Sequence, residues 1–303
     1  MRMILNKGAW LALGLLVWLL PVPASGAPAD RLPVVASFYP LFEFARRVGG
    51  DRIAVRNLVP AGVESHDYEP TPRNVVAITQ SRVLIYNGAG FEPWVQRLLP
   101  QLPEHVIRVD ATAGLPLITT TAGEDRGRPD PHVWLDPLLA QRQVGLVLAG
   151  LIQADPAGRA TYVANAAAFQ ARLGMLHERI GRTLAPCRTR VVVTTHTAFS
   201  YFAARYRLTQ IPIGGLEPRE EPSPAKMREI LRLVRRHRVR VIYYETLVNP
   251  RVAAAIAREV GARTLVLNPL EGLTPDEQRR GRDYVSTMED NLRNLVAGLG
   301  CPQ

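Results

Sequence analysis

Three of the six histidines in this chain sit on stiff, turn-rich segments, and imidazoles held in that way are suited to binding a divalent transition metal. His132 lies in DPHVWLDP (130–137), between two Asp-Pro corners and directly before a helical pattern. His66 lies in AGVESHDYEPTP (61–72), with Pro70 and Pro72 behind it, and His196 ends the apolar run of VVVTTHTAFSYF (191–202). Each stands where a strand or turn hands over to a helix, the edge of an open α/β sheet at which ligands bind. Three neutral imidazoles suit Zn²⁺, which takes nitrogen at about 2.0–2.1 Å and tolerates a tetrahedral shell with one open place. The same nitrogens would take Cu²⁺, which is favoured on raw affinity. His105, His177 and His237 lack such a setting and read as surface or helix residues.

The elements that must position these histidines alternate between strand and helix, which implies parallel pairing. In the first half LPVVASFY, RIAVRNLVP, RVLIYNG and HVIRVD read as strands, separated by PLFEFARRVGG, NVVAITQ and EPWVQRLL as helices. Residues 113–129 are the loosest stretch. A helix follows His132, and Asp155-Pro156 then opens a longer one through Leu184, with an N-cap and a proline at the first helical position. Some 28 residues of helix would reach about 40 Å, enough to brace two domains rigidly. The second half repeats the alternation with VVVTTH, LTQIPIGG, VRVIYYE and ARTLVLN as strands, and a last helix is predicted from about Arg280 to Leu299. The expected fold is α/β: two Rossmann-like domains with parallel sheets joined by a long rigid helix, with the metal site in the interdomain cleft. The expected boundaries are an N-terminal domain over 27–150, a connecting helix over 151–185 and a C-terminal domain over 186–303.

Residues 1–26 carry Arg2 and Lys7, an apolar stretch from Ala9 to Leu20 and small residues before Ala27, the pattern of a secretory signal peptide. That apolar stretch is shorter than the roughly 20 residues a membrane-spanning helix needs. No cysteine stands at the cut site to take a lipid, so the expected product is free in an oxidising compartment, the periplasm in a Gram-negative cell. The formal charge of +10 comes from arginine spread along the chain, with only Lys7 and Lys226 as lysines. It reads as a compositional bias, and nucleic acid is not an expected partner. Cys187 and Cys301 are the only cysteines, and such a compartment permits a disulfide pinning the C-terminal helix to the second domain. Spacing alone leaves that pairing open.

Taken together, ESHDYEPTP, DPHVWLDP, TTHTAFSYF, the VIYYE strand, the NPLEG segment and DYVSTMEDNL (283–292) resemble the metal-binding solute-binding proteins of zinc and manganese ABC transporters. The periplasmic zinc-binding type is the nearest in pattern, and the resemblance covers the whole mature chain. It implies His66, His132 and His196 as ligands, and His196, where manganese members carry glutamate, points toward zinc. It also implies a fourth ligand at Asn268, where the family has an aspartate. An amide is a poorer zinc ligand than a carboxylate, so Glu64, a water or an anion are alternatives for that place. The histidine-rich loop of many zinc members has no counterpart in 117–129. Glu245 is expected as a partner of a ligand rather than a ligand, and Asp67, Asp130 and Asp136 are candidates for the same task by proximity.

The resemblance implies a non-enzymatic carrier that captures Zn²⁺, with Mn²⁺ or Cu²⁺ as the less favoured cargo, and delivers it to the membrane permease of an ABC transporter. A monomer is expected, and a periplasmic metallochaperone that loads the site is a further conceivable partner. The competing reading is a secreted zinc hydrolase, for which three histidines and an open fourth place are a known arrangement. Against it, the chain has neither HExxH nor GxSxG.

Overall fold

The computed structural model describes residues 31–121, 125–218 and 222–302, so the predicted signal peptide over 1–26 lies outside the described residues. Short β-branched runs form the strands, the inner ones covered on both faces and the outer ones partly exposed. In the first half these are β1 (Leu32–Ala36), β2 (Ile53–Asn57), β3 (Val83–Tyr86) and β4 (Ile107–Asp110). They pair parallel in the order β2-β1-β3-β4. The second half has β5 (Val191–Thr194), β6 (Thr209–Pro212), β7 (Val241–Tyr244) and β8 (Arg263–Val266), parallel in the order β6-β5-β7-β8. The two sheets therefore have the same topology. Every residue of β3 is buried, as expected of a parallel strand with helices on both sides.

The helices are α1 (Tyr39–Gly49), α2 (Pro72–Thr79), α3 (Pro93–Leu98), α4 (Pro137–Ala154), α5 (Arg159–Leu184), α6 (Ser200–Tyr206), α7 (Pro224–Arg236), α8 (Arg251–Val260), α9 (Pro275–Arg279) and α10 (Tyr284–Leu299). Proline opens several of them behind a capping side chain: Thr71 before α2, Asp136 before α4, Ser223 before α7 and Thr274 before α9. The cap satisfies an orphan N–H, and proline lacks the N–H that would be left over.

Two expectations change here. Asp155 and Pro156 open a short 3-10 turn rather than the long helix itself, so α5 begins at Arg159; its 26 residues span about 39 Å. The predicted terminal helix starts at Tyr284 rather than about Arg280, because Gly281 takes a left-handed conformation after α9 and Asp283 opens α10 with a capping box. Helix α5 packs on α1, α4 and α10, and one core runs from Val34 through Phe169, Leu173 and Leu176 to Leu299. Cys187 and Cys301 form a disulfide, tying the segment after α5 to the end of α10. Among the described residues no helix is long and apolar enough to cross a membrane.

Candidate metal centre

His132 follows an Asp-Pro corner that aims it inward. Asp130 Oδ1 accepts from the His132 backbone N–H at 2.9 Å and lies 2.8 Å from its Nδ1, so one carboxylate sets both main chain and ring. Behind the ring, Trp134 Nε1 donates to Pro269 O at 2.8 Å and Tyr284 Oη donates to Trp134 O. Asp136, a candidate by proximity, instead caps α4 and pairs with Arg205 at 2.8 Å.

His196 leaves the end of β5 in the same manner. Its Nδ1 lies 2.7 Å from Glu245 Oε1, at the end of β7, and Thr195 Oγ1 donates to that same oxygen. Thr194 Oγ1 and Gln210 Nε2 donate to the His196 carbonyl at 2.7 and 3.0 Å. With Nδ1 engaged by a carboxylate, each ring presents Nε2 to the interior, the arrangement that orients a ligating imidazole.

His66 comes from the irregular turn between β2 and α2. Glu64 accepts from the backbone N–H groups of His66 and Asp67, at 2.9 and 3.3 Å, and thereby shapes the turn. Ser65 Oγ donates to Glu271 O at 2.8 Å, and the Gly62 N–H donates to Leu273 O at 2.8 Å, so this turn is sewn to the loop after β8.

That loop supplies the fourth side chain. His66, His132, His196 and Glu271 place one nitrogen or carboxylate oxygen each within 4.8 Å of one another. Nε2 of His132 lies 3.2 Å from that of His66 and 3.3 Å from that of His196. Glu271 Oε1 is 3.5, 3.5 and 3.2 Å from the Nε2 atoms of His66, His132 and His196 and has no hydrogen-bond partner. A tetrahedron with zinc–nitrogen bonds of about 2.0–2.1 Å has edges of roughly 3.3 Å, so these separations are those of a ligand shell.

Asn268 is not among the converging donors. Its Oδ1 accepts from the Leu270 N–H at 2.8 Å, and its Nδ2 donates to Thr246 Oγ1 and Glu277 Oε1 at 3.2 and 3.1 Å. Its backbone N–H donates to Asn291 Oδ1 at 2.8 Å, and its carbonyl accepts from Asn291 Nδ2 at 2.7 Å. Asn268 therefore frames the loop, with Leu270 held left-handed, and Glu271 points inward from it. Glu64 is spent on the His66 turn. The NPLEG motif carried the missing residue, but reading it at Asn268 passed over the glutamate three positions on. The only signal for it in the sequence was an acid beside a glycine, Glu271-Gly272, within that motif. The three other histidines lie elsewhere: His105 bonds to Thr79 O, His177 to Tyr206 Oη, and His237 is exposed.

The electrostatics of these side chains follow from their contacts. Burial lowers the pKa of His66 despite the nearby Glu271. For His132 burial acts in the same direction, but the charge of Asp130 and its hydrogen bond outweigh it and raise the pKa. His196 is raised well above the imidazole value, with Glu245 and Glu271 overcoming burial. Burial pushes Glu271 up, yet the imidazoles hold it well below the usual carboxylate range. Glu64 is pushed up to about 7, by burial first and by Glu271 second.

Residues 34–298 match the family described as zinc-uptake complex component A, periplasmic. The chain is 36% identical over 287 residues to the high-affinity zinc uptake system protein ZnuA of Bacillus subtilis, covering 91% of this chain and 90% of that protein. It is 34% identical over 276 residues to the zinc-binding lipoprotein AdcA of Streptococcus pneumoniae, covering 88% of this chain and 55% of AdcA. The crystal structure of the Zn(II)-bound ZnuA-like domain of AdcA superposes with a TM-score of 0.79 at 35% identity, covering 89% of this chain and 99% of that domain. The alternating motifs, the duplicated sheet topology and these matches agree: the chain belongs to the family of periplasmic A components of zinc-uptake complexes.

Proposed function

We propose that this protein is the extracytoplasmic binding protein of a zinc importer, holding one Zn²⁺ through His66, His132, His196 and Glu271 and passing it to an ABC permease. The observation that carries the reading is the set of four donor atoms within 4.8 Å of one another, three nitrogens and one carboxylate oxygen. Three imidazoles suit zinc better than manganese, which favours oxygen ligands, and the near-tetrahedral spacing is unlike the tetragonal shell of Cu²⁺. One carboxylate leaves the bound ion with a net charge of +1 within its ligand shell, and Asp130 and Glu245 supply compensating charge behind two of the imidazoles. With Glu271 in the fourth place, no position remains for the activated water of a zinc hydrolase. Export by the segment 1–26 into the periplasm belongs to the same proposal. So does the division into lobes over 27–150 and 186–303 braced by 151–185, with release by small loop movement rather than a wide hinge.

The test is metal content and competitive titration of the mature chain with Zn²⁺, Mn²⁺ and Cu²⁺, beside Glu271→Ala and Asn268→Asp. One tight zinc per chain, lost in Glu271→Ala, is expected. Asn268→Asp sets a carboxylate against Glu277, so it should weaken rather than strengthen binding. Preference for manganese, or zinc binding indifferent to Glu271→Ala, would overturn the assignment.

A further inference from the structure

The excess positive charge of the chain is not evenly distributed in space. Elsewhere on the surface many arginines meet carboxylates, Arg52 with Asp155, Arg97 with Glu69, Arg179 with Glu289, and Arg279 and Arg280 with Asp276, while others such as Arg73, Arg159 and Arg188 stand singly. Helix α7 differs. Ile230 and Val234 are buried against Val193, Ile211 and Ile242 of the second sheet, which turns the opposite pole of the helix to solvent. On that pole Arg228, Arg232 and Arg236 recur at i, i+4 and i+8, all exposed, about 6 Å apart along the axis. Arg238 and Arg240, also exposed, extend the ridge beyond the helix end. Among the described residues none of these five pairs with a carboxylate, and the two acids alongside are already engaged, Glu229 by Lys226 and Glu259 by Arg235.

A row of unpaired like charges costs folding energy through self-repulsion, which an anionic partner would relieve. The form of the ridge says which kind. It is convex and straight and carries no exposed large apolar side chain, unlike the desolvated core of a protein interface. No Phe, Tyr or Trp occurs between 224 and 240 to stack on bases, and the one imidazole, His237, lies past the helix end. What remains is a straight row of delocalised cations, which fits along the plane of anionic phospholipid headgroups. We infer that the α7 ridge is a peripheral docking surface for an anionic phospholipid membrane, holding the protein against the bilayer in which its permease resides. The contact is electrostatic and reversible, with nothing inserted. No ridge residue bonds to a residue of the metal centre, so the inference stands or falls separately from zinc binding.

The test sediments zinc-loaded mature protein with vesicles of phosphatidylcholine alone or with about one third phosphatidylglycerol, at ~20 mM and ~500 mM salt, on either side of strong screening. Binding to the anionic vesicles at low salt only is expected. Each arginine near such a surface contributes about fivefold, so Arg228→Gln/Arg232→Gln/Arg236→Gln should lower partitioning by about 100-fold while zinc content is unchanged. The matched triple Arg73→Gln/Arg159→Gln/Arg188→Gln removes three exposed, unpaired arginines elsewhere and should lower it far less. Equal losses in the two triples would reduce the effect to net charge and overturn the proposal. So would absence of binding to anionic vesicles at low salt. Ridge-dependent retention on duplex DNA without vesicle binding would instead make the surface a nucleic-acid one.

Discussion

The four converging side chains form two pairs held in different ways. His132, at the head of the 3-10 turn before α4, and His196, just after β5, are fully buried, each with a carboxylate on Nδ1. His66 and Glu271 come from irregular segments joined to each other through Ser65 and Gly62, the first also shaped by Glu64 and the second by Asn268. The first pair is preorganised by the fold; the second is a clasp of two loops hydrogen-bonded to each other, which predicts that it opens or closes as one piece. The charges divide the same way, because the carboxylates behind the fixed pair raise its pKa values while burial lowers that of His66. This contrast predicts that geometry is set by one pair and exchange by the other.

The sharpest attempt to break this division removes the ligands. A zinc site of about 10–16 kcal/mol shared by four ligands assigns roughly 3 kcal/mol to each, more than ~100-fold in affinity. His132→Ala and His196→Ala should lose at least that much in competition with a chelator. His66→Ala should lose less, because the fixed pair and Glu271 remain as a partial site. Equal losses at all three histidines would mean the fixed pair has no special standing.

Next come the carboxylates behind the fixed pair. Asp130→Asn and Glu245→Gln should each weaken zinc by about 10–100-fold, the usual cost of releasing a ligating imidazole from its orienting partner. They should also move the pH profile. Zinc needs neutral imidazoles, and raised pKa values mean that protons compete from above the free-imidazole value of about 6.5, so affinity falls as pH drops through that range. Removing Glu245 lowers the His196 pKa and should shift the fall to lower pH. A profile unchanged in Glu245→Gln, measured by chelator competition between about pH 5 and 8, would show that His196 is not the competing group.

The same division separates what could be read in the sequence from what could not. His132 and His196 were legible because stiff local chemistry marks them: Asp-Pro corners hold His132 ahead of α4, and a β-branched strand ends two residues before His196. Strands such as β1 and β5 were legible for the same reason. Glu271 was not, because its inward aim depends on Leu270 being held left-handed by Asn268, and Asn268 on Asn291 of α10, a contact made 23 residues further on. The late starts of α5 and α10 turn on single capping residues, Asp155 and Asp283, whose side chains could have been read either way. The Cys187–Cys301 pairing needed a distance that only the packed α10 supplies.

The smallest effect tests the clasp itself. Ser65 touches no ligand ring; its hydroxyl donates to the Glu271 carbonyl and so ties one loop to the other. A hydrogen bond of this kind contributes about 1 kcal/mol net, about fivefold in the balance between closed and open clasp. Ser65→Ala leaves all four ligands and both orienting carboxylates in place, so the geometry of bound zinc should not change. Release of zinc to excess chelator, followed by stopped flow, should accelerate by up to about fivefold, whereas Asp130→Asn weakens equilibrium affinity more than that. If Ser65→Ala released zinc no faster than the parent chain, the two loops would not act as a unit, and His66 and Glu271 would have to be treated as independent ligands.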